Sequence, residues 1–547
     1  MNREKPEINN GPHRRAASRP PAGRPRISRR LWTPLAAIGL LAVAWFAWER
    51  FPADLTGPGT GPAPDAAVDS ASPTVASAGD IYYGPPGSLA VLPFADASAA
   101  GGQQAQAFGF AAELLGRLQQ VPGLQVTAQS SSFFFRDPAA PLRVVSQRLQ
   151  SRLLLTGSWR STGQQFNVTA ALFDARRNEE VWRGEGDGAL ADVLRVQDEL
   201  ARAVLDALPI AVQTDWAPPA AVIPENWALL QSGRFLADPL GPADLSAAAA
   251  SIHLALEHQP DYDAARLALA ELWLHPAWPQ PAERPAFEDA RGAAEQVLAR
   301  EPAAAAADRA HAWGLLTYVR HHHAWEWQAA ADAADRALAL APGDASLLAL
   351  ASLAHFTLGA LEQARELLQE AVRRDPLNLG TRLRLGLAQE FSGLYDEALA
   401  TYRQVLSLRP DYPGAHAYRA RVKVLQGKPE SALRESAQEA DPFWQRYAEV
   451  LALVAADRRA EAEPLLERMM AEDGSVAAFQ VAEILAYEGE VDAAFEWLQR
   501  ARMQRDPGLS ALLGNPLLEA LRSDLRWAEL QHLLGLPADA GGAVHGR

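Results

Sequence analysis

Between residues 311 and 410 one pattern returns every 34 residues, and that period restricts the fold more than any other feature of the chain. The cleanest copy, residues 379–410, carries Leu385-Gly386, Gly393, Tyr395, Glu397-Ala398, Tyr402, Val405-Leu406 and Pro410. The preceding copy places Gly359, Ala364, Leu368, Ala371 and Pro376 at the same offsets, and the one before it Ala330, Ala334, Ala337-Leu338 and Pro342. A unit of this kind is a helix–turn–helix. Small residues such as Ala364 and Ala398 let two helices approach, the glycine opens the turn between them, and the proline stops the second helix. One such hairpin cannot bury its apolar face alone, so neighbours must stack into a solenoid.

The spacing and the recurrent residues resemble the tetratricopeptide repeat. Helical periodicity extends in both directions from the regular copies and predicts an all-α solenoid with a C-terminal cap over residues 220–537. Residues 227–260 and 262–302 read as degenerate early repeats, the second with an insertion around His275-Pro276-Ala277-Trp278-Pro279. Residues 416–442 read as a shortened repeat, 446–470 and 477–505 as further helix pairs, and 509–534 as the cap.

Charge divides the chain before the solenoid begins. Residues 1–30 hold nine Lys/Arg against Glu4 and Glu7, a net +7 that leaves −22 for the rest of a chain of net −15. An acidic body argues against nucleic-acid binding. The basic, Pro- and Gly-rich first 30 residues predict a disordered cytoplasmic tail. Residues 31–48 (LWTPLAAIGLLAVAWFAW) hold no charge over a length that spans a bilayer, with Trp32, Trp45 and Trp48 near the ends. A transmembrane helix over 31–49 is expected, amino terminus in the cytoplasm, because Arg29 and Arg30 flank that side. A cleaved export signal is the rival, since Ser28-Arg29-Arg30-Leu31 resembles a twin-arginine motif and Ala42-Val43-Ala44 a cleavage site. The apolar run through Trp48 favours the anchor. Residues 50–86 are a Pro/Gly/Ala-rich linker. The chain has no cysteine, which removes disulfides and thiolate chemistry and leaves the compartment open.

Residues 87–215 alternate strand and helix signals and predict a compact α/β domain with a mixed sheet. Its strands are expected at 88–94, 124–128, 153–159, 166–174 and 180–182, its helices at 105–119, 142–150 and 190–208. The blocks SLAVLPF, GFAAELLGRLQQVPGLQVTAQSSSFFF and LLLTGSWRSTGQQFNVTAALFDARRNEEVW resemble the TolB-like (FlgO-like) amino-terminal domain. Ser88 to Phe94 are similar to that family's opening strand, Pro122-Gly123-Leu124 with Ser131 and Phe133 to its helix-to-strand passage, and Gly157-Ser158 to a later strand. Thr156 stands where the family usually has a carboxylate. The resemblance implies a domain just outside the membrane, ahead of tetratricopeptide repeats, with no catalytic residues to carry over. It also implies kinship with the extracytoplasmic half of CadC-type membrane regulators. Their winged-helix or cyclase domain needs on the order of 100 residues, whereas only 30 precede Leu31.

No arrangement of residues asks for catalysis. There is no G-x-S-x-G, H-E-x-x-H or G-x-x-x-x-G-K, and Gly57, Gly59 and Gly61 follow no strand. His311 and the run His321-His322-His323 lack carboxylate support, and adjacent helical residues point about 100° apart, so neither a metal nor a cofactor is expected. Trp325 and Trp327 are assigned to a turn and to the core. Gly184-Glu185-Gly186-Asp187-Gly188 lacks the later ligands of a calcium loop and reads as a turn before a helix. Asn167-Val168-Thr169, a glycosylation triplet, lies within a strand.

Recognition is the chemistry that remains. By repeat offset, the concave groove lined by each unit's first helix receives His322, Leu353, Phe356, Arg384, Leu387, Glu390, Tyr418 and Arg421. Arg384 and Arg421 are suited to clamping a carboxylate, with Leu353, Phe356 and Leu387 supplying apolar contact. With the envelope type that the resemblance implies, the expectation is a single-pass inner-membrane protein whose bulk is periplasmic, a non-catalytic scaffold or sensor for protein or peptide partners. Two alternatives stay open: a signalling subunit of a membrane transcription regulator or adenylate cyclase system encoded elsewhere, and an enzyme of unrecognised type.

Overall fold

The computed structural model describes residues 83–538 apart from 100, 163–164, 209–222, 276 and 279–285. The expected tail, membrane segment 31–49 and most of the linker lie outside the described residues. Among the described residues no helix is long and apolar enough to cross a membrane.

The first unit is a mixed sheet. Its strands are β1 (Ser88–Val91), β2 (Ala95–Asp96), β3 (Gln125–Val126), β4 (Leu153–Thr162), β5 (Gln165–Asp174) and β6 (Glu179–Ala189), in spatial order β3-β1-β4-β5-β6, with β2 also on β4. Strands β1, β2 and β3 make parallel pairs, whereas β4, β5 and β6 are antiparallel. Helices α1 (Gln104–Gln119) and α4 (Val193–Asp206) cover one face, where Phe110, Leu114, Val196 and Leu200 meet Leu89, Val91, Trp159 and Val168. Between them in sequence lie the single turn α2 (Gln129–Ser132) and α3 (Leu142–Leu149), the latter packing Val145 and Leu149 on Ala90 and Leu154 of the other face. The two-residue alternation of β1 is what lets one strand feed both cores.

One element differs from expectation. The glycines read as a turn continue β6 to Ala189. A Cβ at Gly186 would lie 2.4 Å from Cγ1 of Val196, so their role is to let α4 lie directly on the strand.

Helix pairs follow: α5 (Pro224–Ala237) with α6 (Leu245–His258), α7 (Asp263–Trp273) with α8 (Ala286–Leu298), and α9 (Ala306–Tyr318) with α10 (Trp327–Leu340). Next come α11 (Ala345–Thr357) with α12 (Leu361–Arg374), α13 (Leu379–Phe391) with α14 (Tyr395–Leu408), and α15 (Ala415–Leu425) with α16 (Pro429–Ser436). The stack continues with α17 (Pro442–Ala455), α18 (Arg459–Glu472), α19 (Ala478–Glu488) and α20 (Val491–Gln504). Two 3₁₀ turns, Pro507–Ala511 and Pro516–Leu521, precede the last helix, α21 (Leu525–Leu534). The turn glycines behave as the period requires, with φ of +78° at Gly359 and +73° at Gly393. Inside α13 the demand is for space: a Cβ on Gly386 would come within 2.3 Å of the Tyr402 ring. The histidine run lies where α9 widens into a π-type turn, Val319–Ala324. Trp327 opens α10 rather than occupying the turn, and its Nε1–H donates to the Leu534 carbonyl at 2.7 Å.

Candidate functional site

The inner face between α11 and α19 is filled by the chain itself. The segment 507–521 crosses it, bringing Ala511 against the Phe356–Phe391 cluster and Leu513 against Gly359. Beneath it lies a buried ion network. Arg421 Nε donates to Glu390 at 2.6 Å, and its Nη1 reaches Glu483 at 3.5 Å. The Tyr402 hydroxyl donates to Glu390, the Tyr447 hydroxyl donates to Glu483, and Asn515 Nδ2 donates to Glu483 at 2.7 Å. Burial pushes both glutamates up in pKa against the pull of Arg421. Removing two carboxylates and a guanidinium from water is costly, and the pairing offsets that cost in part, since Arg421 Nη2 is buried without a hydrogen-bond partner among the described residues.

The eight groove positions divide accordingly. Leu353, Phe356, Glu390 and Arg421 are buried, so they present no surface to a partner. Arg421 does hold carboxylates, but they are those of Glu390 and Glu483. His322, Arg384, Leu387 and Tyr418 remain half-buried on the same face. The His322 ring stacks on Tyr318 at 4.3 Å, and Tyr418 lies under the Arg421 guanidinium at 4.9 Å. Neighbouring His321 is buried and bonded to the Thr357 hydroxyl at 2.8 Å; burial, then the charges of His322 and Arg384, hold it well below the usual histidine range. No group of three metal-ligating side chains occurs among the described residues. The offsets could not show that four of the eight positions are buried by the chain's own residues. A signal was nonetheless present: Glu390 stands where the previous copy has Phe356, and Arg421 where earlier copies have Leu353 and Leu387.

The other half of the concave face is built differently, because the sheet domain props it. Trp227 of α5 enters the sheet domain's core, and its Nε1–H donates to Glu113 of α1 at 2.8 Å. Gln231 Nε2 donates to the other Glu113 oxygen at 2.7 Å. Further along, the α12–α13 loop is tied to α2. Ser130 and Ser131 donate to the two oxygens of Asp375 at 2.7 and 2.5 Å, and the Ala128 N–H donates to the Arg374 carbonyl at 2.7 Å. Between these anchors α5, α7 and α9 turn Arg234, Glu271, Asp308 and His311 inward, and none of the four is fully covered. His311 Nε2 lies 2.9 Å from Glu271, and Arg234 lies 3.7 Å from Glu113. Burial pulls His311 down, but the charge and hydrogen bond of Glu271 outweigh it and leave the imidazole raised. Of these four the sequence singled out His311 alone, weighed there as a metal ligand without carboxylate support; the structure sets the Glu271 carboxylate 2.9 Å from it, and Arg234, Glu271 and Asp308 carried no signal in the sequence.

Comparison with known proteins adds three findings. Residues 326–378 and 383–446 match the tetratricopeptide repeat family. A protein of Rhizobium meliloti (strain 1021) named "Putative adenylate cyclase 3" is 29% identical over 187 residues, 34% of this chain; the chain spans about a third (32%) of that relative's length. Among solved structures, a tetratricopeptide repeat protein from Parabacteroides merdae is 13% identical, with 54% of this chain and 98% of that one covered at a TM-score of 0.31. Yeast Tom70 is 14% identical, with coverages of 57% and 80% and a TM-score of 0.27. The chain is a mixed-sheet domain followed by a helical solenoid, and its carboxyl-terminal part carries tetratricopeptide repeats.

Proposed function

We propose that this protein is a non-catalytic scaffold or sensor, anchored in the bacterial inner membrane with its bulk in the periplasm, that gathers protein partners through its repeats. The observation that carries it is the tetratricopeptide repeat array, a fold that mediates protein–protein interaction. The charge-free stretch 31–48 supports the anchor, and the acidic body disfavours nucleic acid. His322, Arg384, Leu387 and Tyr418 are the groove positions a partner can reach. A photo-crosslinking residue at Leu387 or Tyr418 should trap a partner in cells, and one at buried Leu353 should not; silence at both outer positions removes the groove from the proposal. Topology is tested separately with Ser77→Cys and Ser18→Cys in this cysteine-free chain. An impermeant thiol reagent should label position 77 but not 18 in intact cells, and labelling at 18 alone refutes a periplasmic body.

A second reading, a signalling subunit of an adenylate cyclase or membrane transcription system, draws on the cyclase-named relative. It predicts that deleting the chain changes cyclic-AMP levels while the purified chain has no cyclase activity. Unchanged levels across growth conditions dismiss it.

A further inference from the structure

We infer that the outer edge of β6 is a docking surface for a second copy of this chain, the two strands pairing antiparallel about a twofold axis at Gly184. β6 is the last strand of the sheet, and among the described residues nothing pairs with its outer side. An edge of 11 residues, Glu179–Ala189, therefore presents a row of free N–H and C=O groups, the template on which another strand adds. One face of the strand is occupied, since Gly186 lies against Val196 of α4 and Gly188 against Asp192 just before it. Arg183, Glu185 and Asp187 alternate along the other face and are exposed. Their cross-strand neighbours on β5 are Ala171, Thr169 and Asn167, so β5 supplies them no counter-charge. Arg183 reaches back to Glu180 of its own strand, at 2.8 Å in an exposed pair.

The charges choose both partner and register. In two antiparallel strands related by a twofold axis, residues equidistant from the axis stand opposite each other with their side chains on one face. An axis at Gly184 lets the whole strand pair, with Glu179 opposite Ala189 and Val181 opposite Asp187. Arg183 then stands opposite Glu185 of the partner subunit, twice by symmetry, and no like charges meet. Moving the axis one residue either way sets Arg183 or Glu185 against its own copy. At Gly186 it sets Glu185 against Asp187, and at Trp182 it sets Glu179 against Glu185. Opposite charges directly across a strand pair are favourable and like charges destabilising. The register of greatest overlap is thus also the one the charges favour. The residue skipped in the β5–β6 ladder, Val181, falls outside the charged pairs. On the helix side the seam is kept low by Gly184, Gly186 and Gly188, and Trp182 folds over its own Gly184. A foreign strand would have to be built to this pattern, whereas a second copy carries it already. The surface shares no residue with the groove of the repeats, so either proposal can fail alone.

The test is sedimentation velocity of the full-length chain in detergent, between about 1 and 100 μM. Wild type should form a concentration-dependent dimer. Arg183→Glu and Glu185→Arg, each turning two attractive pairs repulsive, should weaken it about tenfold or more. An equimolar mixture of the two variants should recover the dimer, because one carries only negative and the other only positive charge at the two positions. The double variant, with the charges exchanged, should dimerise by itself. Hydrogen exchange at 182–186 should be slow in the dimer and quicken in either single variant. A wild type that stays monomeric overturns the proposal: protected β6 amides then assign the edge to another segment of this chain, and freely exchanging ones leave it to a foreign strand. A dimer indifferent to both reversals lies elsewhere on the chain and overturns it too, as does a mixture that associates no better than the single variants.

Discussion

Between α11 and α19 the inner helices turn Glu390, Arg421 and Glu483 toward one another and seal them under residues 507–521. Between α5 and α9 Arg234, Glu271, Asp308 and His311 stay partly exposed to water, with His311 paired to Glu271 and Arg234 near Glu113. The closed half holds complementary charges at repeat-spaced positions, with partners supplied from within the chain. The open half holds a surplus of acceptors, with its shape supplied by a different domain. A concave solenoid surface is thus not one site by virtue of its geometry. The regular half, which the sequence displays most clearly, is spent largely on stability, and the irregular half keeps its charged side chains partly exposed.

The comparison is broken most directly at Arg421. Substitution to Met leaves Glu390 and Glu483 buried without a counter-charge, a loss of about 4 kcal/mol. Urea unfolding should show it, together with accelerated hydrogen exchange across 507–521. Replacing all three residues together with Leu, Met and Leu removes the buried charges but leaves the donors of Tyr402, Tyr447 and Asn515 without acceptors, so it should recover only part of the loss. A loss below about 1 kcal/mol for the single change is the size expected of a surface pair and would mean that the closed half is not held by this network.

Asp506 gives the closed half a pH dependence. It caps the first 3₁₀ turn, accepting from the Gly508 and Phe479 N–H groups. Burial nevertheless lifts its carboxyl from 3.8 to about 6, against those bonds. A carboxyl with a raised folded pKa contributes stability that is full below its unfolded value and lost as pH rises through its folded one. From pH 4 to 6 the folded chain should lose roughly 2 kcal/mol through this group. Asp506→Asn should remove that slope, so wild-type and variant urea midpoints compared at pH 4, 5, 6 and 7 should converge or cross within that window. Parallel curves would show that Asp506 titrates normally.

What the sequence made legible follows the range of the interactions. Pro342, Pro376 and Pro410 with Gly359 and Gly393 describe α10 to α14 because helix stops and turn openings are local events. SLAVLPF announces β1 for the same reason, since a run of buried apolar residues needs no distant information. Gly184 to Gly188 misled because glycine reads locally as a turn, whereas here it answers to Val196 on a helix packed across it. The offsets carry no sign of contacts made over long range: Asn515 meets Glu483 across 32 residues and Trp327 meets Leu534 across 207. Glu113 meets Trp227 and Gln231 only once α1 is brought against α5.

The joint between the two units provides a mid-sized test. Asp375→Ala removes the acceptor for Ser130, Ser131 and Asn378 and should cost about 2 kcal/mol. Its signature is location: exchange should quicken at 127–132 and leave 507–521 untouched. Quickening in both segments would merge the two halves into one cooperative unit and weaken the contrast between them.

The smallest effect is the most informative about the open half. Glu271 and His311 are each about a third exposed, with side-chain accessibilities of 36% and 29%, so water screens their pairing. Glu271→Gln should change stability by less than about 1 kcal/mol. The sign can still be read. With its pKa raised by Glu271, His311 contributes stability that is full below its unfolded value of 6.5 and fades as pH rises through its folded one. The variant should therefore trail wild type slightly at pH 6 and match it at pH 9, where the imidazole is neutral in both. A deficit as large as that of Arg421→Met, persisting at pH 9, would show that the open half is also structural.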